Sequence, residues 1–501
     1  MSKHDQCPST KASTPIPESA PDLPTAGGRK AWRSVEEFSG DPSFREFVER
    51  EFPKGASELL ENSRRGFLKV MGAGLAIAGA ATIPGCRRPE RQILAYSRNV
   101  PEEIIPGKPL YYATAVQTPG GGAEGILVET HTGRPTKVEG NPKHPVSAGR
   151  TSEFAQASVL NVYDPDRLKT VSVLDGDSRR AATWDDFTRR EQGLVGLRSR
   201  HDAERGRGLA FIVDKKTSPT RDAMKAAVLE RWPQATWVAW APTEDRSALL
   251  GASAAFGEPV RVRYAFDRVQ TVLSLGSDFT HSGAGYTENA RKFAATRRVH
   301  DAGEEMSRLY VAESRPTATG TLADHRFRMA PSRITALGLA VAHEIARATG
   351  DGALASAIEG VGGFDRGAAD LEHAPAIAAD MLAHRGRALM LAGPCQPAAV
   401  HALCHAVNGA LGSHAELATT VPMGADEAQD SALAMTALTE RMNAGEIATL
   451  VCVETNPLYD HPACCDFAGA FAKVATTLTL SVPSTETAAA STWSLNGAHA
   501  L

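Results

Sequence analysis

From residue 208 onward, short uninterrupted apolar runs recur along the chain, and several are followed by a stretch with helical spacing. The runs at 209–213, 235–240, 269–275, 309–313, 388–392, 448–453 and 475–480 read as buried strands, because a strand covered on both faces has no polar face to show. The stretches at 219–231, 332–349 and 397–411 repeat their apolar residues at helical period. Strands alternating with helices predict an α/β fold with parallel, doubly wound sheets. In such sheets ligands bind at the carboxyl ends of the strands.

The pattern upstream is different. Residues 106–114 read as a turn and a strand, and 125–130 and 135–140 as two more, joined by the turn His131-Thr132-Gly133-Arg134. Asn141-Pro142-Lys143-His144-Pro145 ends that hairpin, and Tyr163-Asp164-Pro165-Asp166-Arg167-Leu168 closes the unit. Residues 1–62 form a leader that opens with Pro8, Pro15, Pro17, Pro21 and Pro24 among polar residues, a composition with little to bury, and is expected to be disordered there. Within it Phe38, Phe44, Phe47, Val48 and Phe52 recur at near-helical spacing, with Asp41-Pro42 as N-cap and first helical position. This short amphipathic helix either docks on its own protein or offers a handle to a chaperone.

Residues 63–90 carry Ser63-Arg64-Arg65-Gly66-Phe67-Leu68-Lys69, then 17 uncharged residues to Cys86, then Arg87-Arg88. The run is shorter than the roughly 20 apolar residues of a membrane span. Paired arginines ahead of a weakly apolar segment make the twin-arginine export pattern, with Arg64 and Arg65 as its signature. It predicts export to the periplasmic face of the cytoplasmic membrane. Ile83-Pro84-Gly85-Cys86 has the Gly-Cys of a lipoprotein cleavage box, although Pro84 is atypical. Cys86 is either the lipidated first residue of the mature chain or incidental.

The composition narrows this picture. The chain has 501 residues, 42% apolar and 22% charged, which excludes collagen, coiled coil and wholesale disorder. Its net charge of −4 does not advertise nucleic-acid binding. The 7 cysteines are Cys7, Cys86, Cys395, Cys404, Cys452, Cys464 and Cys465, so none lies between Cys86 and Cys395. A metal site from Cys395, Cys404 and His405 would use a C-x8-C spacing that is not diagnostic; the other reading is small buried apolar residues. His131, His144, His281 and His325 fall in turns or loops with no partner the sequence reveals.

The run from Gly125 to Gly140, with Asn141-Pro142-Lys143-His144-Pro145 and Tyr163-Asp164-Pro165-Asp166-Arg167-Leu168, resembles the N-terminal module of the molybdopterin oxidoreductases, a superfamily that includes formate dehydrogenases and polysulfide, nitrate and dimethyl sulfoxide reductases. The resemblance implies the formate dehydrogenase/DMSO reductase-like fold. In many members that module holds a [4Fe-4S] cluster on four cysteines, and four thiolates are what such a cluster needs. Here Tyr111 to Gly122 and Arg150-Thr151-Ser152 stand where the cysteines would lie, so residues 106–170 read as a module stripped of its cluster. Residues 171–501 then correspond to the molybdopterin-binding α/β region. The loops that cradle the pterin guanine dinucleotides in the family fall on Gly276 and Asp278, on Glu313, Arg315 and Thr317, and on Asn456 and Pro457. The family's Gly-x-Asn-Pro and Asp-Pro-Arg-x-Thr are altered at Asp278-Phe279, Glu313-Ser314-Arg315 and Glu454. No catalytic residue and no molybdenum ligand can be nominated.

A closer resemblance rests on Trp32-Arg33-Ser34-Val35-Glu36-Glu37, Phe44-Arg45-Glu46-Phe47, Glu51-Phe52-Pro53, the Ser-Arg-Arg signal, Gly85-Cys86-Arg87-Arg88-Pro89-Glu90 and Met306-Ser307-Arg308-Leu309-Tyr310. These are similar to the Tat-variant-translocated molybdopterin oxidoreductase, the B subunit of alternative complex III. That resemblance implies a cofactor-free scaffold half, with [4Fe-4S] and [3Fe-4S] clusters in a following ferredoxin-like iron–sulfur domain. The implied partners are that domain, a multihaem cytochrome c subunit, a polytopic quinol-binding membrane subunit and the Tat translocase. The family's fold continues beyond residue 501, so a fragment or one half of a split gene is expected. The alternative is a catalytic enzyme resembling polysulfide reductase, which would hold bis-molybdopterin guanine dinucleotide.

Overall fold

The computed structural model describes residues 104–501 except 106, 118–121, 177, 192, 217 and 363–370. The leader helix, Arg64, Arg65 and Cys86 lie outside the described residues. The chain from Pro101 to Leu501 is one compact unit.

It opens with a three-stranded antiparallel sheet in the order β1 (Leu110–Gln117), β2 (Ala123–His131), β3 (Arg134–Gly140), followed by helix α1 (Glu153–Val162). Ile126, Val128 and Val138 fill its small core. The Asp164–Leu168 segment then crosses to the main body, where Leu168 donates its N–H to Val482 at 2.9 Å and Ser484 donates to Asp166 at 2.8 Å.

The main body holds two parallel sheets. The larger has seven strands in the order β5-β4-β16-β15-β14-β6-β7. Its parallel part is β6 (Leu209–Asp214), β7 (Thr236–Trp240), β14 (Thr449–Val453), β15 (Thr476–Ser481) and β16 (Trp493–Asn496), and β4 (Val171–Asp175) and β5 (Ser178–Ala182) extend it antiparallel. Helix α2 (Pro219–Arg231) makes the crossover from β6 to β7. The chain leaves β6 for β7 on one side and returns, more than 200 residues later, to β14 on the other. The strand order therefore reverses between β6 and β14.

The residues between form the second parallel sheet, in the order β11-β10-β9-β12, from β9 (Thr271–Leu275), β10 (Arg308–Glu313), β11 (His325–Arg328) and β12 (Ala388–Ala392). Here the order reverses between β9 and β12. Alternation along these strands feeds two cores. Leu273, Leu275 and Met390 pack under helices α6 (Pro331–Thr349) and α7 (Ala398–Ala410), while Val272, Val311 and Leu389 face Phe266, Phe279 and Phe293. Each such buried side chain contributes roughly 1.5–3 kcal/mol by leaving water. A short antiparallel pair, β8 (Val260–Tyr264) with β13 (Ala418–Pro422), flanks this sheet, beside helix α3 (Arg246–Phe256). Among the described residues no helix is long and apolar enough to cross a membrane.

The seven expected buried runs all become strands, within two residues at either end. The α/β class with parallel, doubly wound sheets is thus the observed one. Strands β4, β5, β8, β11, β13 and β16 were not anticipated.

Candidate functional site

The two strand-order reversals are where this architecture makes crevices. At the smaller sheet, β9 ends in Leu275-Gly276 and β12 in Ala392-Gly393. Gly393 donates its N–H to Leu275 at 3.0 Å, and a Cβ on Gly393 would lie 2.0 Å from the carbonyl oxygen of Gly276. The two chain segments touch, and Gly276 takes φ 73°, which a side chain would strain.

Beyond Gly276, Asp278 reaches the short helix α5 (Ala318–Thr321) and accepts from the Thr319 N–H at 2.8 Å and the Thr319 hydroxyl at 2.7 Å. Thr317 caps the same helix, accepting from the Gly320 N–H at 3.0 Å while donating to Glu313 at 2.7 Å. Glu313 is 2% exposed and pairs with Arg326 at 2.5 Å. Gly320 is required there, since a Cβ would lie 2.0 Å from Glu313 Oε1. Gly276, Asp278, Glu313 and Thr317 are thus gathered into one cluster, and Arg315 stands exposed beside it. The donors that a phosphate would meet at such a loop are already used within the protein: the Thr319 N–H and hydroxyl by Asp278, the Thr317 hydroxyl by Glu313 and the Gly320 N–H by Thr317.

At the larger sheet, a cavity of about 250 Å³ opens at the strand ends, lined by Asp214, Trp240, Glu454, Asn456, Asp460 and Ser481 among others. Glu454 ends β14 in the left-handed region, φ 53°, an unusual state for a residue with a side chain. Its carboxyl is exposed on the cavity wall, where crowding by the surrounding protein raises its pKa; the Lys216 charge and the Val482 N–H oppose that shift. Burial likewise raises Asp460, against the hydrogen bond it receives from Trp240 Nε1 at 2.8 Å. Asp214 pairs with Arg221 at 2.8 Å and with Lys216. Asn456 Oδ1 accepts from the Thr487 N–H at 3.1 Å and its hydroxyl at 2.9 Å, and Asn456 Nδ2 donates to Glu486 at 2.6 Å. Pro457 is buried as the first residue of helix α8 (Pro457–Asp460).

These surroundings do not fit a pterin guanine dinucleotide. The cavity falls below the roughly 300–1,000 Å³ usual for ligand pockets, and its carboxylates would repel a pyrophosphate.

The N-terminal module shows the same replacement. Glu124, 5% exposed, accepts from the Ser152 N–H at 2.8 Å, the Ser152 hydroxyl at 2.9 Å and the Thr287 hydroxyl at 3.2 Å. Thr287 belongs to helix α4 (Tyr286–Ala295) of the main body. Next to it Tyr286 donates to Glu153 at 2.6 Å; burial and that bond push the phenol up, and the bond holds the Glu153 carboxyl down. Carboxylates and hydroxyls thus surround Ser152.

The histidines without sequence-level partners find them here. His131 meets Glu129 at 2.9 Å, His144 meets the Ser147 hydroxyl at 3.1 Å, His281 packs edge-on to Tyr286, and His325 stacks on Tyr310. Cys395 is exposed whereas Cys404 is buried with its thiol raised by desolvation. Among the described residues no three His, Cys, Asp or Glu side chains are placed to hold a metal ion. Sequence reasoning missed Glu124, Asp214, Trp240 and Asp460. Only Asp214 had a readable signal, as the residue that follows the apolar run of β6 on a sheet whose strand ends were already of interest.

The chain is 27% identical over 292 residues to the menaquinone reductase, molybdopterin-binding-like subunit, of Nitratidesulfovibrio vulgaris. The match covers 57% of this chain and 40% of that protein. This chain is similar to a molybdopterin-binding-like subunit. The aligned part spans about two fifths of that relative's length. Among solved structures, acetylene hydratase from Pelobacter acetylenicus superposes with a TM-score of 0.48 at 12% identity, over 76% of this chain and 60% of that one. No family model matches the chain.

Proposed function

We propose that this chain is a non-catalytic scaffold subunit of a quinone-linked electron-transfer complex, built on the molybdopterin oxidoreductase plan. The observation that carries the reading is the presence of protein carboxylates at three places: Glu124 in the N-terminal module, Asp278 and Glu313 at the smaller sheet, each bonded to the protein's own donors, and Glu454 at the strand end of the larger. In this reading Asp278, Glu313 and Glu454 stand in or beside the loops that the resemblance assigns to the dinucleotides, and Glu124 holds Ser152, in the stretch it assigns to the last cluster cysteine. The menaquinone reductase subunit, itself named as molybdopterin-binding-like, supports both the superfamily and the quinone linkage. The closer assignment, to the B subunit of alternative complex III, rests on the leader and signal motifs.

In that reading Arg64 and Arg65 direct the folded chain through the Tat translocase to the periplasmic face of the membrane, and Cys86 is the candidate lipid anchor. The partners are a ferredoxin-like iron–sulfur domain, a multihaem cytochrome c and a polytopic quinol-binding subunit. Electrons pass through those partners, while this segment supplies surface and rigidity.

Gentle detergent isolation of the full-length protein from its native membranes tests this. Haem-containing and cluster-containing partners should come with it, and the preparation should oxidise a quinol. Recovery of the chain alone, in soluble form and without haem or iron, would overturn the proposal.

A further inference from the structure

Shortly after α8, whose Asp460 lines the cavity, the chain makes a single 3₁₀ turn, Ala463–Cys465. Its two cysteines are neighbours in sequence, and their sulfurs lie 3.9 Å apart on the same side of the turn. Cys464 is exposed and Cys465 half-buried, and both are free. The turn ends on Asp466, held in the left-handed region at φ 43°. Of the other described thiols, Cys395 is exposed and has no neighbouring cysteine in the sequence, and the remaining two are buried. Burial pushes Cys452 up to about 12 and raises Cys404, so neither reacts from within the core.

We propose that Cys464 and Cys465 form a reactive vicinal dithiol that closes reversibly to a disulfide. The sulfurs need to approach by roughly 1.9 Å to reach the disulfide bond length of about 2.05 Å, and the turn is exposed, so side-chain rotation meets little packing. The contact with Cys464 raises the Cys465 thiol, and Cys464 is the more exposed of the two, which makes Cys464 the sulfur that an incoming disulfide reaches first.

The oxidant is a second disulfide, small or protein-borne. The Cys464 thiolate attacks it, releasing one thiolate and forming a mixed disulfide. Cys465 then loses its proton and displaces the second thiolate. The pair gives up two electrons and two protons, and the oxidant's disulfide becomes two thiols. Neighbouring residues put their Cα atoms about 3.8 Å apart, below the usual disulfide range of about 4.4–6.8 Å. Such a bond is easily reduced, which suits a reversible element rather than a staple. Asp460, which lines the cavity, lies shortly before the pair in the chain, so closure of the ring stiffens the segment that follows it.

The test treats the native full-length protein with an aromatic disulfide, 5,5′-dithiobis(2-nitrobenzoate), and maps the tryptic peptide 442–473 by mass. The expected peptide carries no aryl group and is lighter by two hydrogens, with the link at Cys464–Cys465, and dithiothreitol restores it. Cys464→Ser and Cys465→Ser should each retain one aryl adduct, on the remaining cysteine of the pair, with the buried Cys452 unlabelled. A wild-type peptide that keeps its aryl groups, that links to another cysteine, or that fails to react in the native state would overturn the proposal.

Discussion

Removing the Glu124 carboxylate tests the account of the N-terminal module most sharply. Glu124 Oε2 accepts both Ser152 bonds, and Oε1 accepts from Thr287. The same Ser152 hydroxyl must accept from the Ala155 N–H at 3.1 Å to cap α1, so Glu124 also orients that cap. Hydrogen bonds to a charged acceptor are worth about 1.5–3 kcal/mol each, and a buried N–H left alone adds its desolvation cost. In Glu124→Ala the two hydroxyls can turn elsewhere but the Ser152 N–H cannot, which puts the loss at about 3 kcal/mol. Glu124→Gln keeps a carbonyl oxygen for Ser152 and an amide donor for Thr287, losing only the charge assistance, about 1 kcal/mol. At about 2.1 cal/mol/K per residue, a unit of roughly 400 residues unfolds with an entropy near 0.84 kcal/mol/K. The expected falls in Tm are therefore about 3–4 °C for the alanine variant and about 1 °C for the glutamine variant. Melting followed by circular dichroism at a fixed scan rate reads both. Equal Tm values for the two variants would refute the reasoning, because acceptance by the carboxylate would then not be what Glu124 supplies.

Other outcomes follow from the same geometry. Asp278→Ala strands the Thr319 N–H and should cost about 2–3 kcal/mol in a denaturation midpoint, whereas Asp278→Asn keeps the accepting oxygen and should cost about 1 kcal/mol or less. Gly393→Ala drives a Cβ into the Gly276 carbonyl, which is backbone and cannot turn away; a loss of at least about 2 kcal/mol is expected, seen as poor soluble yield or a lowered Tm. Burial, with the charges of His414 and His401, lowers His405 to about 3. An unfolded histidine takes up its proton below about pH 6.5, so stability is full above that pH and falls as pH drops towards 3, by about 2 kcal/mol at pH 5. His405→Gln should flatten this part of the pH–stability curve, and an unchanged curve would contradict the assignment.

The parallel sheets were legible because their strands are buried on both faces and read as continuous apolar runs; 388–392 is strand β12 to the residue. The missed strands lack that signature. In β8, Val260-Arg261-Val262-Arg263-Tyr264 alternates on a flank of the body, and β11 and β16 are four residues each. The strand ends could be picked out as crevices from topology alone. What occupies them could not, because Asp278 finds Thr319 across 41 residues and Glu124 finds Thr287 across 163. Such pairings are set by how the sheets stack. The absence of cysteines between Cys86 and Cys395 was plain in the sequence, while the buried carboxylate was visible only once Glu124, Ser152 and Thr287 were brought together.

The proposed scaffold role implies that the strand-end crevices of this chain, lined by its own carboxylates, hold no pterin cofactor. Elemental analysis of the purified full-length protein for molybdenum and tungsten, with acid extraction of any pterin, tests it directly. The account predicts neither metal at stoichiometric level and no extractable pterin dinucleotide; one metal atom per chain together with pterin would contradict it.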